Sequence, residues 1–346
     1  MYEVRSMTRH FVTARPDPKL LSVVIPIYNE SEVLPFVEKE VTAFLGTVSC
    51  ACEVVLVNDG STDDSLDKLA AWADRDTRVT VVQLSRNFGH QIAATAGLDH
   101  ARGDAVVLMD ADLQDPLAVI HQMIARYREG YDVVYGQRMV RGGEGLFKRG
   151  SAWLFYRIMH LLVYPDLPVD TGDFRLVSKE CLDQLLQMRE CHRFLRGMVT
   201  WVGFPQIAVQ YVRNPRAAGT TKYPLRKMLR FAWTAATSFS TIPLNLSFML
   251  GGAAGLFAAE EFIRAFITAY QGHNVPGWTS LMVLTSAIGS AILLLLGVIG
   301  QYVGKTYEQS KDRPLYLVSR MYRAGESAVR LAMRPRTGTA RENQVD

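Results

Sequence analysis

The sequence predicts an α/β domain with a mainly parallel sheet and helices on both faces, followed by a hairpin of two transmembrane helices. Three observations predict it. Up to about Tyr211, short β-branched runs alternate with stretches of helical spacing. Polar residues gather after each of those runs. Beyond them lie two long uncharged stretches with basic flanks.

The first strand is "SVVIPIYN" (Ser22 to Asn29), an apolar run that ends in polar residues. "EVVLVNDG" (Glu53 to Gly60), "VTVVQLS" (Val79 to Ser85), "AVVLMD" (Ala105 to Asp110) and "DVVYG" (Asp132 to Gly136) repeat the pattern. Helical spacing covers Glu32 to Leu45, Asp63 to Ala73, Gln91 to Ala101 and Leu117 to Glu129. Such alternation gives a largely parallel sheet, because each crossover helix returns the chain in the same direction. In open α/β sheets, ligands bind at the carboxyl ends of strands. Tyr28-Asn29-Glu30, Asn58 to Ser61, Asp110 to Asp115 and Gln137-Arg138 all stand there.

No charge occurs from Phe231 to Ala259, and no Lys, Arg, Asp or Glu between Arg264 and Lys305. Spans are expected at about 242–264 and 280–303, with Glu260 and Arg264 as i,i+4 neighbours at the outer interface. The loop "AYQGHNVPGW" has no Lys or Arg, whereas both inner flanks are basic. The positive-inside rule therefore puts the catalytic part and both termini in the cytoplasm. The expected layout is an N-terminal extension (1–21), a catalytic domain (22–215), a juxtamembrane amphipathic helix region (216–241, with a helix starting at Pro224), two spans within 242–303, and a partly disordered tail (304–346). Beyond about Arg320 the tail reads as polar, basic and disordered.

Several classes are excluded. A net charge of +4 is too small to argue for nucleic acid. Cys50, Cys52, Cys181 and Cys191 have neither zinc spacing nor the density of a disulfide scaffold, so a reducing compartment fits. No signal-peptide core and no internal repeat are visible. "IPIYNESE" puts Pro26 and Tyr28 where a dinucleotide fold needs glycines.

The chemistry concentrates in "LMDADLQDP" (Leu108 to Pro116). Two carboxylates and an amide are hard oxygen ligands, suited to Mg²⁺ or Mn²⁺. Asp110 ends a strand, Asp112 reaches the same ion if the chain stays extended, and Gln114 adds a neutral ligand. Tyr28 is placed to pack on a base, and Glu30 and Asp59 to accept hydrogen bonds from base or ribose. The alternative for this region is helix capping by Asn29 or Ser31 and by Ser61 or Thr62. "DTGDFRL" sets Asp170, Asp173 and Arg175 around a glycine. "YVRNPRAAGTTKYPLRKMLRFAW" places cations before the first span, as topology signals or as a phosphate clamp.

Together "VVIPIYNE", "LVNDGSTDDS", "LSRNFGHQIAATAGLDHARGD", "MDADLQDP", "GQR", "DTGDFRL", "RAAGTTKYP" and "GQYVGKTYEQSKDRPLYLV" resemble family 2 glycosyltransferases of the GT-A fold. Within that family they are most similar to the polyprenyl-phosphate branch, in its bacterial glucosyltransferase-like membrane form. The resemblance runs from about Ser22 to Val318. It departs at Gln301, where the branch often has an acidic residue.

The resemblance implies inverting transfer of a sugar, UDP-glucose being the favoured donor, to a polyprenyl phosphate at the bacterial inner membrane. It implies Pro26, Tyr28, Glu30 and Asp59 on the nucleoside, and Arg138 on the donor phosphates. Asp110, Asp112 and Gln114 would hold Mg²⁺ or Mn²⁺. Asp173, with Asp170 and Arg175, would form the catalytic set, and Arg213, Arg216 and Lys222 would meet the acceptor phosphate. A homo-oligomer, a tetramer by analogy, is also implied. The competing readings are a processive polysaccharide synthase, whose Q-x-x-R-W motif is absent, and a non-catalytic membrane scaffold.

Overall fold

A computed structural model describes residues 12–139, 171–213, 277–324 and 326–329, with scattered helical positions between 244 and 271. Nine strands form one sheet: β1 (Leu20–Ile27), β2 (Ala51–Asn58), β3 (Val79–Leu84), β4 (Ala105–Leu108), β5 (Val133–Arg138), β6 (Thr171–Ser178), β7 (Gln206–Tyr211), β8 (Val318–Arg323) and β9 (Glu326–Val329). Their order is β7-β5-β6-β4-β1-β2-β3-β8-β9. β1 pairs in parallel with both β2 and β4, β2 with β3, and β5 with β7. Only β6 and β8 run against the rest.

Alternation along the strands explains the layers. Val23, Ile25, Val54 and Leu56 point to one side, where α1 (Leu34–Leu45), α2 (Ser65–Arg75) and α4 (Val119–Arg128) supply Val37, Val41, Leu69, Trp72, Ile120 and Met123. Val24, Val55, Val57 and Val82 point to the other. There α3 (His90–His100), α5 (Lys179–Gln187) and α6 (Leu195–Trp201) supply Ala93, Leu98, Leu182, Leu185, Leu195 and Met198. The predicted α/β class with helices on both faces is the architecture found.

The chain leaves β1 for β2 and β3 on one side, then returns to β4 on β1's other side. That reversal opens a crevice at the carboxyl ends of β1 and β4, the switch point of an open α/β sheet. β6 runs the opposite way, so its first residues, Thr171 to Asp173, arrive at the same edge.

The C-terminal part departs from the expected layout. α7 (Trp278–Ser310) is one continuous helix of 33 residues. At about 1.5 Å per residue it is roughly 50 Å long, well beyond a hydrocarbon core of about 30 Å. Its stretch Ala287–Ser310 is, among the described residues, the one helix long and apolar enough to cross a membrane. Past it the chain returns to the sheet. β8 adds to β3, and β9 adds to β8. The sheet therefore takes in strands beyond residue 215, at Val318–Arg323 and Glu326–Val329, while residues 330–346 of the expected disordered tail lie outside the described residues. Alternation was hard to read in this stretch because β8 mixes polar Ser319, Arg320 and Arg323 with Val318 and Met321 on one core cluster and Tyr322 on the other. Arg264 donates to Glu260 Oε1 at 3.1 Å, as the i,i+4 spacing predicted. The rest of the first span, and the 216–241 region, lie outside the described residues.

Candidate active site

The site's first wall is made by the loops after β1 and β2. Asn29 adopts φ +53° and its N–H donates to Ser61 Oγ at 3.0 Å. Thr62 N–H donates to Asn29 Oδ1 at 2.8 Å, Ser31 N–H to Asp63 Oδ2 at 3.1 Å, and Glu30 N–H to Ser65 Oγ at 3.1 Å. These side chains tie loop to loop. Neither Val33 before α1 nor Asp64 before α2 makes a side-chain cap; Asp63 alone of these also serves its own helix, its Oδ1 accepting from Ser65 N–H at 3.0 Å. Tyr28 is left 43% exposed at the top of β1, open to a flat ring. Glu30 lies beside it, half-buried. Pro26, in contrast, is buried within β1 opposite Val57, so it shapes the strand and offers a ligand no surface.

Asp59 is also buried, at 2% exposure. One oxygen accepts from Phe88 N–H at 2.7 Å and the other from Gly89 N–H at 2.9 Å. Burial raises its carboxyl above the ordinary value, and these two amides pull it back. In this structure Asp59 holds the loop that leads into α3, and does not stand open to a base or ribose as its position in the sequence suggested. Gly60 (φ +65°) lets the β2 loop pass this segment: a Cβ there would lie 2.5 Å from the Arg86 carbonyl carbon.

α3 then delivers His90 and Gln91 to Asp173 of β6. Gln91 Nε2 donates to Asp173 Oδ2 at 3.0 Å, and His90 Nε2 lies 3.2 Å from the same oxygen. Arg196, on α6, donates from Nε to Asp173 Oδ1 at 2.8 Å. Gln91 Oε1 in turn accepts from Leu195 N–H at 3.0 Å. Burial alone would push the Asp173 carboxyl up, but Arg196, then His90 and Arg175, hold it well below the usual carboxylate range. A carboxylate so stabilised is a poor proton acceptor. It fixes negative charge at one spot on the crevice wall.

Arg175 was expected in the catalytic set with Asp173. It is 5% exposed, and its guanidinium donates to the main-chain carbonyls of Asp173 (3.3 Å) and Gly172 (3.1 Å). Burial pulls it down to about 10. It braces the start of β6 from within. Asp170, Arg216 and Lys222 lie outside the described residues.

The acidic motif follows β4. The chain does not stay extended there. It turns at Ala111–Asp112, with Leu113 at φ +53° and Gln114 N–H donating to Asp112 Oδ1 at 3.2 Å. Asp110, Asp112 and Gln114 are all partly exposed at this turn. Asp110 keeps 31% of its side chain open, and its Oδ1 lies 3.4 Å from His90 Nε2. The surrounding protein desolvates it and raises its carboxyl to about 6. His90 opposes that shift, while Asp173, Asp115 and Asp112 add to it. His90 is itself raised to about 9: burial disfavours its charge, but Asp173 and Asp110 outweigh burial.

Behind the turn, Asp115 is 1% exposed. Its Oδ1 accepts from the Tyr211 hydroxyl and lies 3.7 Å from Arg138 and 3.9 Å from Arg213, while Oδ2 is buried without a partner. Arg213 also lies 3.7 Å from Asp112 Oδ2. The cation assigned to the acceptor thus stands against the metal-side carboxylate. Arg138 reaches the same corner from β5, where its Nη2 fills the space a Cβ on Gly172 would need, only 2.6 Å away.

These features fit a divalent cation. The donor set is hard oxygen, Asp110 is destabilised by three other carboxylates, and a buried Asp115 oxygen stands unpaired. Among the described residues no group of three or more His, Cys, Asp or Glu is arranged to hold a metal. The described residues would therefore supply part of a coordination shell, as is usual where substrate phosphates supply the rest.

The structure brings together Tyr28, Glu30, Asp110, Asp112, Gln114, Arg138, Asp173 and Arg213. It adds His90, Gln91, Asp115, Arg196 and Tyr211, which the sequence did not single out. His90 and Gln91 did sit in a matching stretch, directly after the positive-φ Gly89. Arg196 had no such signal, because it comes from a short helix remote in sequence.

The family model for glycosyl transferase family 2 matches residues 22–186. An uncharacterised glycosyltransferase of Bacillus subtilis (strain 168), YkcC, is 43% identical over 305 residues, covering 87% of this chain and 94% of the relative. A prophage bactoprenol glucosyl transferase homolog of Escherichia coli (strain K12) is 36% identical, covering 87% and 99%. Among solved structures, the mannosyltransferase PcManGT from Pyrobaculum calidifontis, in complex with GDP-Man and Mn²⁺, aligns with a TM-score of 0.43 at 18% identity, over 86% of this chain and 88% of that one. With relatives that align over nearly their whole length and a mostly parallel sheet carrying its polar residues at the switch-point edge, this chain belongs to glycosyl transferase family 2 and is a glycosyltransferase of the GT-A fold.

Proposed function

We propose that this enzyme transfers glucose from UDP-glucose to the phosphate of a polyprenyl lipid, undecaprenyl phosphate, with inversion at the anomeric carbon. The observation that carries this reading is the 36% identity to the prophage bactoprenol glucosyl transferase homolog, which extends over 99% of that relative. α7 exposes Leu281, Leu293, Leu294, Leu296 and Val303, an unshielded apolar surface suited to lipid. Seven residues after α7, Leu317 accepts a hydrogen bond from Ser85 at the carboxyl edge of the sheet. A membrane around α7 would therefore lie close to the site.

In this reading the anomeric C–O bond to the nucleoside diphosphate breaks, and that leaving group keeps the electron pair. An acceptor phosphate oxygen forms the new bond from the opposite face. Tyr28 and Glu30 face the nucleoside. Arg138 and Arg213 neutralise the two phosphate groups that meet, with Arg216 and Lys222 on the acceptor side. Asp110 and Asp112, with Gln114, would hold Mg²⁺ or Mn²⁺, which supplies charge neutralisation to the departing diphosphate. The acceptor monoester needs no base: its second pKa is about 6, so it is largely ionised at neutral pH. The ionised Asp173 therefore supports positive charge developing at the anomeric centre. The protein would sit in the bacterial inner membrane by two helices, with catalytic domain and both termini cytoplasmic, and assemble as a homo-oligomer, a tetramer by analogy.

The test is transfer of labelled sugar by purified protein in detergent, with undecaprenyl phosphate, Mg²⁺ or Mn²⁺, and a panel of UDP- and GDP-sugars. An EDTA-sensitive lipid product from UDP-glucose alone is expected. A product from another donor corrects the sugar. No lipid product from any donor, with folded protein, overturns the acceptor assignment.

A further inference from the structure

The stretch "GQYVGKTYEQSKDRPLYLV" stands out in the sequence, and the chemistry above leaves it without a role. It follows the apolar helix, so anchoring alone would ask only that it be polar and solvated. It is instead bonded to the catalytic domain at three places. Near the end of α7, Gln309 Oε1 accepts from Cys191 N–H at 2.8 Å, and Gln309 Nε2 donates to the Arg189 carbonyl at 3.1 Å. Glu308 Oε2 lies 2.6 Å from His192 Nε2. Farther on, the Tyr316 hydroxyl donates to Asp99 Oδ2 at 2.8 Å, the oxygen that also takes Arg189 Nη1 at 2.8 Å. Last, the Leu317 carbonyl accepts from Ser85 N–H at 2.9 Å, and β8 continues along β3.

The places touched share one property. Arg189 to His192 leads within a few residues into Leu195 and Arg196, one bonded to Gln91 and the other to Asp173. Ser85 opens the stretch whose Phe88 and Gly89 are held by Asp59 and whose His90 and Gln91 meet Asp173. Asp99 lies at the far end of α3, the helix that begins with those residues. Phe88, Met188, Tyr316 and Val318 pack on the same apolar cluster. The segments that carry His90, Gln91 and Arg196 to Asp173 are thus each held, a few residues away, by the stretch that follows the apolar helix.

We propose that residues 308–318 are a brace for the catalytic centre, in which Glu308, Gln309 and Tyr316 are positioning residues for Arg196, Gln91 and, through them, Asp173. The membrane helix then does more than hold the enzyme near lipid: docking of its end sets the geometry of the site. The inference about catalysis rests on the sugar-transfer reading; the inference about geometry does not.

The experiment uses the full chain in detergent, in three variants: Glu308→Ala/Gln309→Ala, Tyr316→Phe, and Arg126→Ala as a control on the exposed face of α4. Backbone hydrogen exchange is followed at 193–197 and 88–92, with β2 as the internal reference. Exchange at both stretches is expected to rise about fivefold or more in the first two variants, and to stay unchanged in β2 and in the control. Turnover is measured alongside. kcat is expected to fall about fivefold or more with donor KM within about twofold, as when an interaction made only in the transition state is weakened. Tyr316→Phe keeps the ring in the core and removes one hydroxyl, so it tests the idea even if the double variant folds poorly. Unchanged exchange in both variants overturns the brace. So does unchanged kcat in a wild type that transfers sugar. If the wild type transfers nothing to lipid, the sugar-transfer reading has failed, and the exchange measurement still decides the brace.

Discussion

Asp173, in β6, and Asp110, just past the end of its antiparallel neighbour β4, share one imidazole, yet their surroundings differ in sign. Asp173 is 4% exposed and carries two oxygens filled by Arg196, Gln91 and His90. Its charge is compensated by the fold. Asp110 is partly open, and three other carboxylates push its proton affinity up. His90, 3.4 Å away, compensates part of its charge, and the rest is left to what binds. The difference separates a charge the enzyme keeps from a charge it offers. In the proposed transfer it would let two aspartates at one sheet edge serve different parts of the reaction.

The offered charge is the easier to break. Asp112→Ala removes half of the exposed carboxylate pair and, from the fold, only the 3.2 Å acceptor of Gln114 N–H at a partly exposed turn and a neighbour 3.7 Å from the partly exposed Arg213. Transfer is expected to fall about a thousandfold, roughly 4 kcal/mol of barrier, while the thermal midpoint hardly moves. EDTA should mimic it in the wild type, and added Mn²⁺ or Mg²⁺ should restore activity. Near-normal turnover by the variant would remove the divalent cation from the account.

The kept charge should behave differently, because disturbing it also costs stability. Arg196→Ala leaves Asp173 buried without its main partner. Breaking a buried pair costs about 3–5 kcal/mol, and about 3 is expected here because Arg196 is 32% exposed. Denaturant unfolding of the full chain in detergent measures this. Arg196→Lys should recover much of the stability, since charge returns, but less of the turnover, since a lysine lacks the guanidinium's fixed fork. If Arg196→Ala unfolds like wild type, Asp173 is not the compensated partner described here.

How far these two regimes were legible in the sequence depends on distance along the chain. Asp110, Asp112 and Gln114 lie within five residues, and the strand before them announces itself by its apolar run. The sheet was readable for the same reason, since each parallel strand is a local pattern. The partners of Asp173 come from 82, 83 and 23 residues away. Their meeting depends on the order in which strands enter the sheet, which local pattern does not encode. β8 escaped because its core-packed Val318, Met321 and Tyr322 are interleaved with Ser319, Arg320 and Arg323, which hides the strand signal in a basic stretch. Asp59 and Arg175 were legible as site residues in type but not in direction. A polar residue beside a strand end is equally placed to face the ligand or to bond the loop, and here it is the loop.

A smaller effect tests the wall that both carboxylates rely on. Gly60→Ala puts a Cβ 2.5 Å from the Arg86 carbonyl carbon at a residue with φ +65°. A loss of about 2 kcal/mol is expected from the strained backbone and the enforced shift. Because the displaced segment carries His90 and Gln91, donor turnover should fall with it. Stability lost without any change in turnover would uncouple the loop from the Asp173 side.

The smallest effect sorts the carboxylate that lies between the two regimes. Asp115 is as buried as Asp173, but it adjoins the exposed turn, and its Oδ2 is unpaired. Tyr211→Phe removes the hydroxyl that bonds Asp115 and accepts from Arg138 at 3.3 Å, and keeps the ring packed edge-on against Phe174, 5.8 Å between centroids. Losing one hydrogen bond to a buried charged group should cost about 1.5 kcal/mol. If Asp115 is a kept charge, that is the whole effect, and half-saturation by Mn²⁺ in the transfer assay stays within about twofold. This is the expected result, because Arg138 and Arg213 remain beside it. A large weakening of Mn²⁺ dependence at unchanged stability would instead move Asp115 to the offered side. The exposed turn would then hold its cation with three carboxylates rather than two.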